Sequence, residues 1–323
     1  MRQRVIVPVR CYEEDINNEI CYIEFDRLVL DLPLFNNNTL LITLLDDNEE
    51  HRLALKGIKF KFYEGENNSF IKKKKKDYPS FITDYIDYFL VIEIEFNHKK
   101  HAGDTFYADA YLARLGLLIT ITYGTSIVFL RGIVIEKDLL IGRTSFVQNS
   151  IDFAYRHAFT IKWPVLPGLK LIEVLNWLND YKIKFYSSSK SPASRALNAL
   201  SHIFNKDLSE TDTAHLFWCM LGIEALFSKG SNGISDQIRE KIKLVLGEPA
   251  EFKKKLTKLY GYRSRLIHGD IDFPAKFSID HKNFEMEYWD YTAFATSLLL
   301  ASIKGLIENN IDHFTFDYQW KKP

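Results

Sequence analysis

Cysteine is almost missing from this sequence. The three that occur, Cys11, Cys21 and Cys219, form no CxxC pair and share no ligand spacing with histidine. That argues against a disulfide framework and a structural zinc site, and it makes a reducing cytoplasm the default compartment. Net charge is missing too: 42 Lys and Arg balance 42 Asp and Glu. No global field draws the chain to nucleic acid or membrane, so any polyanion must be held by local clusters. Residues 187–323 carry 18 basic and 17 acidic side chains, a net of +1. Without a GxxxxGK[ST] run or a strand-linked GxGxxG, nucleotide hydrolysis and dinucleotide redox chemistry lose their usual signatures. The opening MRQRVIVPVRCYEED meets charge before any long apolar run and does not read as a signal peptide. One apolar run, residues 110–130, is long enough to span a bilayer. Arg114, Gly116 and Gly124 interrupt it and its composition turns β-branched midway, so a helix followed by a buried strand is expected and no membrane partner. No internal repeat is found. The one low-complexity tract, Lys72 to Lys76, is expected to be a solvated loop between strands.

What is present suits a globular protein. Of 323 residues 46% are hydrophobic, 26% charged and 14% aromatic, enough for two domains with their own cores. The first half alternates apolar with polar residues in QRVIVPVR, EICYIEFDRLVLDL, TLLITLL, HRLALKGIKFKFYEG and DYFLVIEIEFNH. Such alternation predicts strands with one buried and one wet face. LFNNNT and GENNS are turn material between them. The spacing loosens to helical around residues 104–118, then SIVFLRGIVIEKD and HAFTIKWPV return to strand character. An antiparallel sandwich or strongly bent sheet with one helix is expected.

After WPVLPG the period changes. LKLIEVLNWLNDY spaces Leu169, Ile172, Leu175 and Leu178 as a helix. SSSKSP then breaks the chain, with Ser191 placed as an N-cap and Pro192 at the first helical position. Helices are predicted over about 192–205, 211–228, 235–246, 251–268 and 283–309. Asp212 suits the start of the second. The expected fold class is α+β: a β-rich N-terminal domain over residues 1–165 and an all-α bundle over 166–323.

The chemistry is concentrated in LYGYRSRLIHGD, Leu259 to Asp270. In plain terms, Arg263, Arg265 and His268 decorate the end of a helix that Gly269 caps, where cations are favoured. The same residues suit another task. Histidine exchanges protons near neutral pH, and arginine offers a planar fork to a phosphate. Together they meet the minimal need for RNA cleavage in which the 2′-hydroxyl attacks its own phosphate. Five residues turn a helix by about 500°, which leaves Arg263 and His268 about 140° apart. They converge more readily across a two-fold axis than within one chain.

LYGYRSRLIHGD resembles the signature of the HEPN superfamily: an arginine, a polar residue, three more, then a histidine. It is most similar to the Apea-like branch. His215 to Asn232 resembles that branch's helix ending in Glu-Ala-Leu-Phe, and SDQIREKIKLVLGE resembles the helix that follows. Ile242 and Lys243 stand where the family has an alanine- and arginine-rich run. The resemblance covers residues 190–310, with 166–189 as a lead-in. A β-rich half ahead of the bundle is also seen in ApeA-type phage-defence proteins.

The resemblance implies a metal-independent, cofactor-free endoribonuclease, a homodimeric toxin or antiphage effector. Its products would carry 2′,3′-cyclic phosphate ends. Arg263 and His268 fall on the catalytic pair, and Ser264 on the polar position beside the arginine, where it would complete the catalytic set by orienting the pair or the phosphate. Glu224 falls on a helix glutamate near the cleft, where it would otherwise pair with Arg263 or Arg265 and hold two helices together. The implied partners are RNA, single-stranded or tRNA, and a second copy. A phage protein or antitoxin would act through the N-terminal half. Some relatives have lost catalysis, so a silent RNA- or nucleotide-binding module, or a dimerisation module, is the alternative.

Around this motif Arg265 is a candidate phosphate contact. Lys258 and the other lysines of FKKKLTK are candidates to line an RNA entry path. Tyr260 and Tyr262 offer rings for a base or for packing. His215, His281 and His313 lack partners at metal-ligand spacing, and His98 and His101 are expected in a loop.

Overall fold

The structure is a computed structural model. It describes residues 2–11, 27–31, 33–36, 55–64, 73, 76, 86, 88–97, 105–123, 127–146, 151–185, 188–204, 214–229, 233–247, 253–272 and 282–316. The fold is α+β, with the strands in the first half and a run of helices in the second. The chain divides into two compact units that interleave along the sequence. Met1–Asp152, Gly168–Ser187 and Phe204–Lys206 form one, and Phe153–Pro167, Ser188–Ile203 and Asp207–Pro323 form the other.

The first unit is built on one antiparallel sheet of β1 (Arg2–Cys11), β2 (Leu55–Glu64), β3 (Tyr88–Phe96), β4 (Ile127–Phe129), β5 (Ile133–Glu136) and β6 (Leu139–Arg143). Its order is β2-β3-β1-β5-β6, with β4 also paired to β1. The edge strand β2 keeps the expected alternation, with Ile58 and Phe60 buried between exposed Lys56, Lys59 and Lys61. The interior strands do not. Val5, Ile6, Val7 and Val9 of β1 are all fully buried, as are Leu90 and Ile92 of β3. A middle strand covered on both faces has no wet side to alternate with.

Pro8 sits inside β1, where a missing N–H would normally break a ladder. It stands where the neighbour changes from β5, paired with Gln3–Ile6, to β4, paired with Val9–Cys11. Its carbonyl accepts from the Leu130 amide at 2.9 Å in the gap between them. The turn from β5 to β6 is Lys137–Asp138, both left-handed at φ 48° and 63°. This is the conformation that matches strand twist in a two-residue hairpin, reached here without glycine, so β6 carried no turn signal in the sequence.

Helix α1 (Phe106–Tyr123) is buried along most of its length. It continues through the β-branched ITIT that was read as the start of a strand. The Thr122 hydroxyl donates to the Leu118 carbonyl at 2.7 Å, an internal bond that accommodates threonine in a helix. No helix among the described residues is long and apolar enough to cross a membrane.

Two other strand expectations fail. Residues 27–31 are helical: Leu28 is buried and Arg27 donates to the Leu169 carbonyl at 3.0 Å. HAFTIKWPV belongs instead to helix α2 (Asp152–Ile161) and the turn after it, with Ala154 and Ala158 buried four residues apart. Helix α3 (Leu171–Asp180) forms as predicted, although its buried face is Leu171, Val174, Leu175, Trp177 and Leu178, and Ile172 is exposed. Lys73 and Lys76 are exposed and helical rather than in a loop. TLLITLL, GENNS, Asp212, His98, His101 and His281 lie outside the described residues.

The second unit gathers α2 with α4 (Pro192–Phe204), α5 (Ala214–Phe227), α6 (Ile234–Leu246), α7 (Lys253–His268) and α8 (Lys282–Glu308). Helix α4 starts as its sequence requires. The Ser194 amide donates to Ser191 Oγ at 3.2 Å, and the Ser191 amide donates to Ser194 Oγ at 2.9 Å. These reciprocal bonds satisfy two amides that the first turn leaves open. Helix α8 is the apolar centre, with Phe294, Leu298, Leu299, Ile303 and Leu306 fully buried. Gly222 of α5 lets three helices close together: a β-carbon there would lie 2.8 Å from Leu299 Cδ1 and 3.1 Å from Ala199 Cβ.

Candidate active site at the end of helix α7

Helix α7 amounts to a buried stripe of Leu256, Leu259, Tyr260, Tyr262 and Leu266 with exposed residues between. It ends where the glycine predicts. Gly269 has φ +80°, and the Asp270 amide donates to the Arg265 carbonyl at 2.8 Å. This is the Schellman closure, which needs a left-handed residue at that position.

Above this cap the basic residues separate. Arg263 turns towards α5, and its Nη2 lies 3.3 Å from Glu224 Oε1. The arginine side chain is 31% exposed and the glutamate 19%, so the pair is anchored yet open to solvent on one side. Arg263 Nε is buried with no hydrogen-bond partner among the described residues. Three residues back on the same helix, the Tyr260 hydroxyl is also buried and partnerless. Burial first, and then the Glu224 charge, raise that phenol well above its ordinary pKa.

His268 is exposed in the last turn and makes no hydrogen bond or ion pair among the described residues. Ser264 and Lys258 are exposed. Arg265 is exposed with its guanidinium 6.0 Å from the centre of the Tyr262 ring. Tyr262 itself is buried, and its ring lies 4.6 Å from that of Tyr291. Burial, followed by the Glu287 charge, pushes its hydroxyl up to about 12. Its face is taken by protein, so of the two tyrosine roles considered it has the packing one. The structure thus brings together Arg263, Glu224 and Tyr260 within one chain. The helical twist between Arg263 and His268 sends the histidine to a different side of α7.

The lysines of FKKKLTK do not act alike. Lys254 and Lys258 are exposed, but Lys255 is turned inwards and is not free to line an RNA path. Its ammonium donates to Asp290 Oδ1 at 2.8 Å and to His157 Nε2 at 3.0 Å. It also lies 5.0 Å from the Phe294 ring centre. His157 Nε2 also lies 3.3 Å from Asp290 Oδ1, so the imidazole, the ammonium and the carboxylate form one three-way contact. Burial, with the Lys255 charge second, lowers the His157 pKa and keeps the ring neutral. The sequence reading missed this cluster, whose members come from α2, α7 and α8 with no shared motif.

The other groups set aside for lack of partners are structural. His215 is buried, with Nε2 3.4 Å from Thr296 Oγ1, and burial drives its pKa down to about 3. Cys219 is a buried free thiol 3.1 Å from the same hydroxyl, pushed up to about 12 by burial. His313 is exposed beside Asp312 at 2.6 Å. Ile242 is buried in α6, and Lys243 faces solvent.

No protein-family model matches the sequence, and neither a curated protein nor a solved structure matches it.

Proposed function

We propose that the chain is a metal-independent endoribonuclease of the HEPN type, a cytoplasmic toxin or antiphage effector that cleaves RNA as a homodimer. One observation carries the reading: a half-open guanidinium is held on a carboxylate, and an exposed imidazole with no partner among the described residues lies a turn and a half further along the same capped helix. In this reading His268 takes the proton of the ribose 2′-hydroxyl as that oxygen attacks the adjacent phosphorus. Arg263 bears the charge that builds on the phosphoryl oxygens. The P–O5′ bond breaks, the 5′-oxygen receives a proton, and the products are a 2′,3′-cyclic phosphate and a 5′-hydroxyl.

Two groups about 140° apart on one helix do not meet over a single phosphate, so the reading requires a second copy to complete the cleft. Ser264, Arg265 and Lys258, all exposed on α7, supply further contacts to the backbone. The N-terminal unit serves as the sensor through which a phage or antitoxin protein acts.

The Arg263–Glu224 pair also favours a second reading, a silent RNA-binding or dimerisation module, because a paired arginine can simply join two helices. The test incubates the purified chain and a His268→Ala variant with single-stranded RNA and with tRNA in EDTA. Cyclic-phosphate ends from the parent alone support the enzyme. Equal RNA binding without cleavage by either supports the silent module. A strictly monomeric, inert parent overturns the enzyme reading.

A further inference from the structure

Buried donors without acceptors are uncommon in folded proteins, and a carboxylate left without its counter-ion in a partly buried site is costly. Both conditions meet at Glu224. Its one ion-pair partner among the described residues is Arg263, at 3.3 Å. The Tyr260 hydroxyl lies on the same side of α7, three residues before that arginine, buried and with nothing to donate to among the described residues. When Arg263 stays on Glu224 the phenol is wasted. When Arg263 leaves, the carboxylate needs a donor and the phenol needs an acceptor.

We propose that Tyr260 is a positioning residue, the reserve donor that takes over the Glu224 carboxylate when Arg263 turns away to an anion. Glu224 then acts as the resting counter-ion of the guanidinium. Tyr260 stabilises the released state, in which the arginine is free for a phosphate oxygen. The anion's identity as an RNA phosphate rests on the ribonuclease reading; the exchange of partners at Glu224 does not.

The test is a double-mutant cycle on the full chain, read by thermal unfolding. In the parent, Tyr260→Phe removes a hydroxyl that has no partner among the described residues, so the melting temperature stays the same or rises slightly. In an Arg263→Ala background the phenol holds Glu224, and the same substitution lowers the melting temperature by about 2–4 °C. In an Arg263→Ala/Glu224→Ala background the acceptor is gone and the effect disappears. Arg263→Gln repeats the cycle should the alanine variant not fold.

Equal effects of Tyr260→Phe in all three backgrounds overturn the proposal, as does a loss that persists without Glu224. A second arm measures cleavage. Tyr260→Phe is expected to lower kcat/KM several-fold while leaving the shape of the pH profile unchanged. An inactive parent with a sign-reversing cycle sinks the ribonuclease reading alone. An active parent with an additive cycle sinks the reserve-donor role alone.

Discussion

The two ends of helix α7 use the same chemistry to opposite effect. Near its start, Lys255 has its ammonium shared between Asp290 and His157 and set against the Phe294 ring. Eight residues on, among the described residues, Arg263 makes a single ion pair and leaves Nε unsatisfied, the Tyr260 hydroxyl below it has no partner, and neither has His268. A cation with saturated contacts holds helices together. A cation left partly unsatisfied, on a helix that also carries an exposed imidazole, keeps capacity for something that arrives. Polar groups are seldom left unpaired in a core without a functional reason, and three such atoms, the Tyr260 and Tyr262 hydroxyls and Arg263 Nε, lie within four residues of α7.

The sharpest way to break this contrast is His268→Ala. If the open end is catalytic, cleavage falls by about 10²–10⁴-fold, while the melting temperature barely moves because the side chain is exposed. Loss of stability without loss of cleavage would reverse the assignment. Gly222→Val comes next, since it wedges α5 away from α4 and α8 two residues before Glu224. A β-carbon would lie 2.8 Å from Leu299 Cδ1 and 3.1 Å from Ala199 Cβ, so a stability loss of about 2–3 kcal/mol is expected in denaturant unfolding.

Per pH unit, a smaller effect is expected from acid. His215 is held near a pKa of about 3 when folded and regains about 6.5 when unfolded. As pH falls from about 6.5 towards 3 the unfolded chain binds the extra proton. This group's contribution, fully present above 6.5, is therefore lost at about 1.4 kcal/mol per pH unit. Urea unfolding across that range should show a slope that His215→Leu makes shallower by one proton. The least effect belongs to Asp290→Ala. The carboxylate is 51% exposed, so solvent screening limits the loss to under about 1 kcal/mol, with cleavage unchanged.

The helical half was legible because its signals are local. Ser191 with Pro192 marks the start of α4, and Gly269 marks the end of α7. Both are set by backbone amides and carbonyls within a few residues. The Glu224–Arg263 pair was one of the readings weighed, and the structure places the two at 3.3 Å. HAFTIKWPV misled because β-branched and aromatic residues favour strands only when nothing else decides. Here the burial of Ala154 and Ala158 decided for a helix. DRLVLDL misled because alternation would put Leu28 and Leu30 on one buried face, whereas the helix buries Leu28 and leaves Leu30 exposed. The Lys255 cluster could not be read at all: His157 and Lys255 are 98 positions apart, and only folding brings them within bonding distance. The Tyr260 hydroxyl was equally hidden, because a missing partner is a property of a site rather than of a residue.

Helix α6 holds the end of α5 in a way that bears on engineering. The Gln237 side-chain amide donates to the Lys229 carbonyl and accepts from its amide, each at 3.2 Å, and the buried Lys241 ammonium donates to the Phe227 carbonyl at 2.7 Å. The exit from α5 is therefore fastened by side chains of α6. Extra chain spliced between Lys229 and Gly233 would add only a closure entropy of about 0.6 kcal/mol for each doubling in length. A fluorescent or affinity label belongs there, where it would report on the bundle without loosening it.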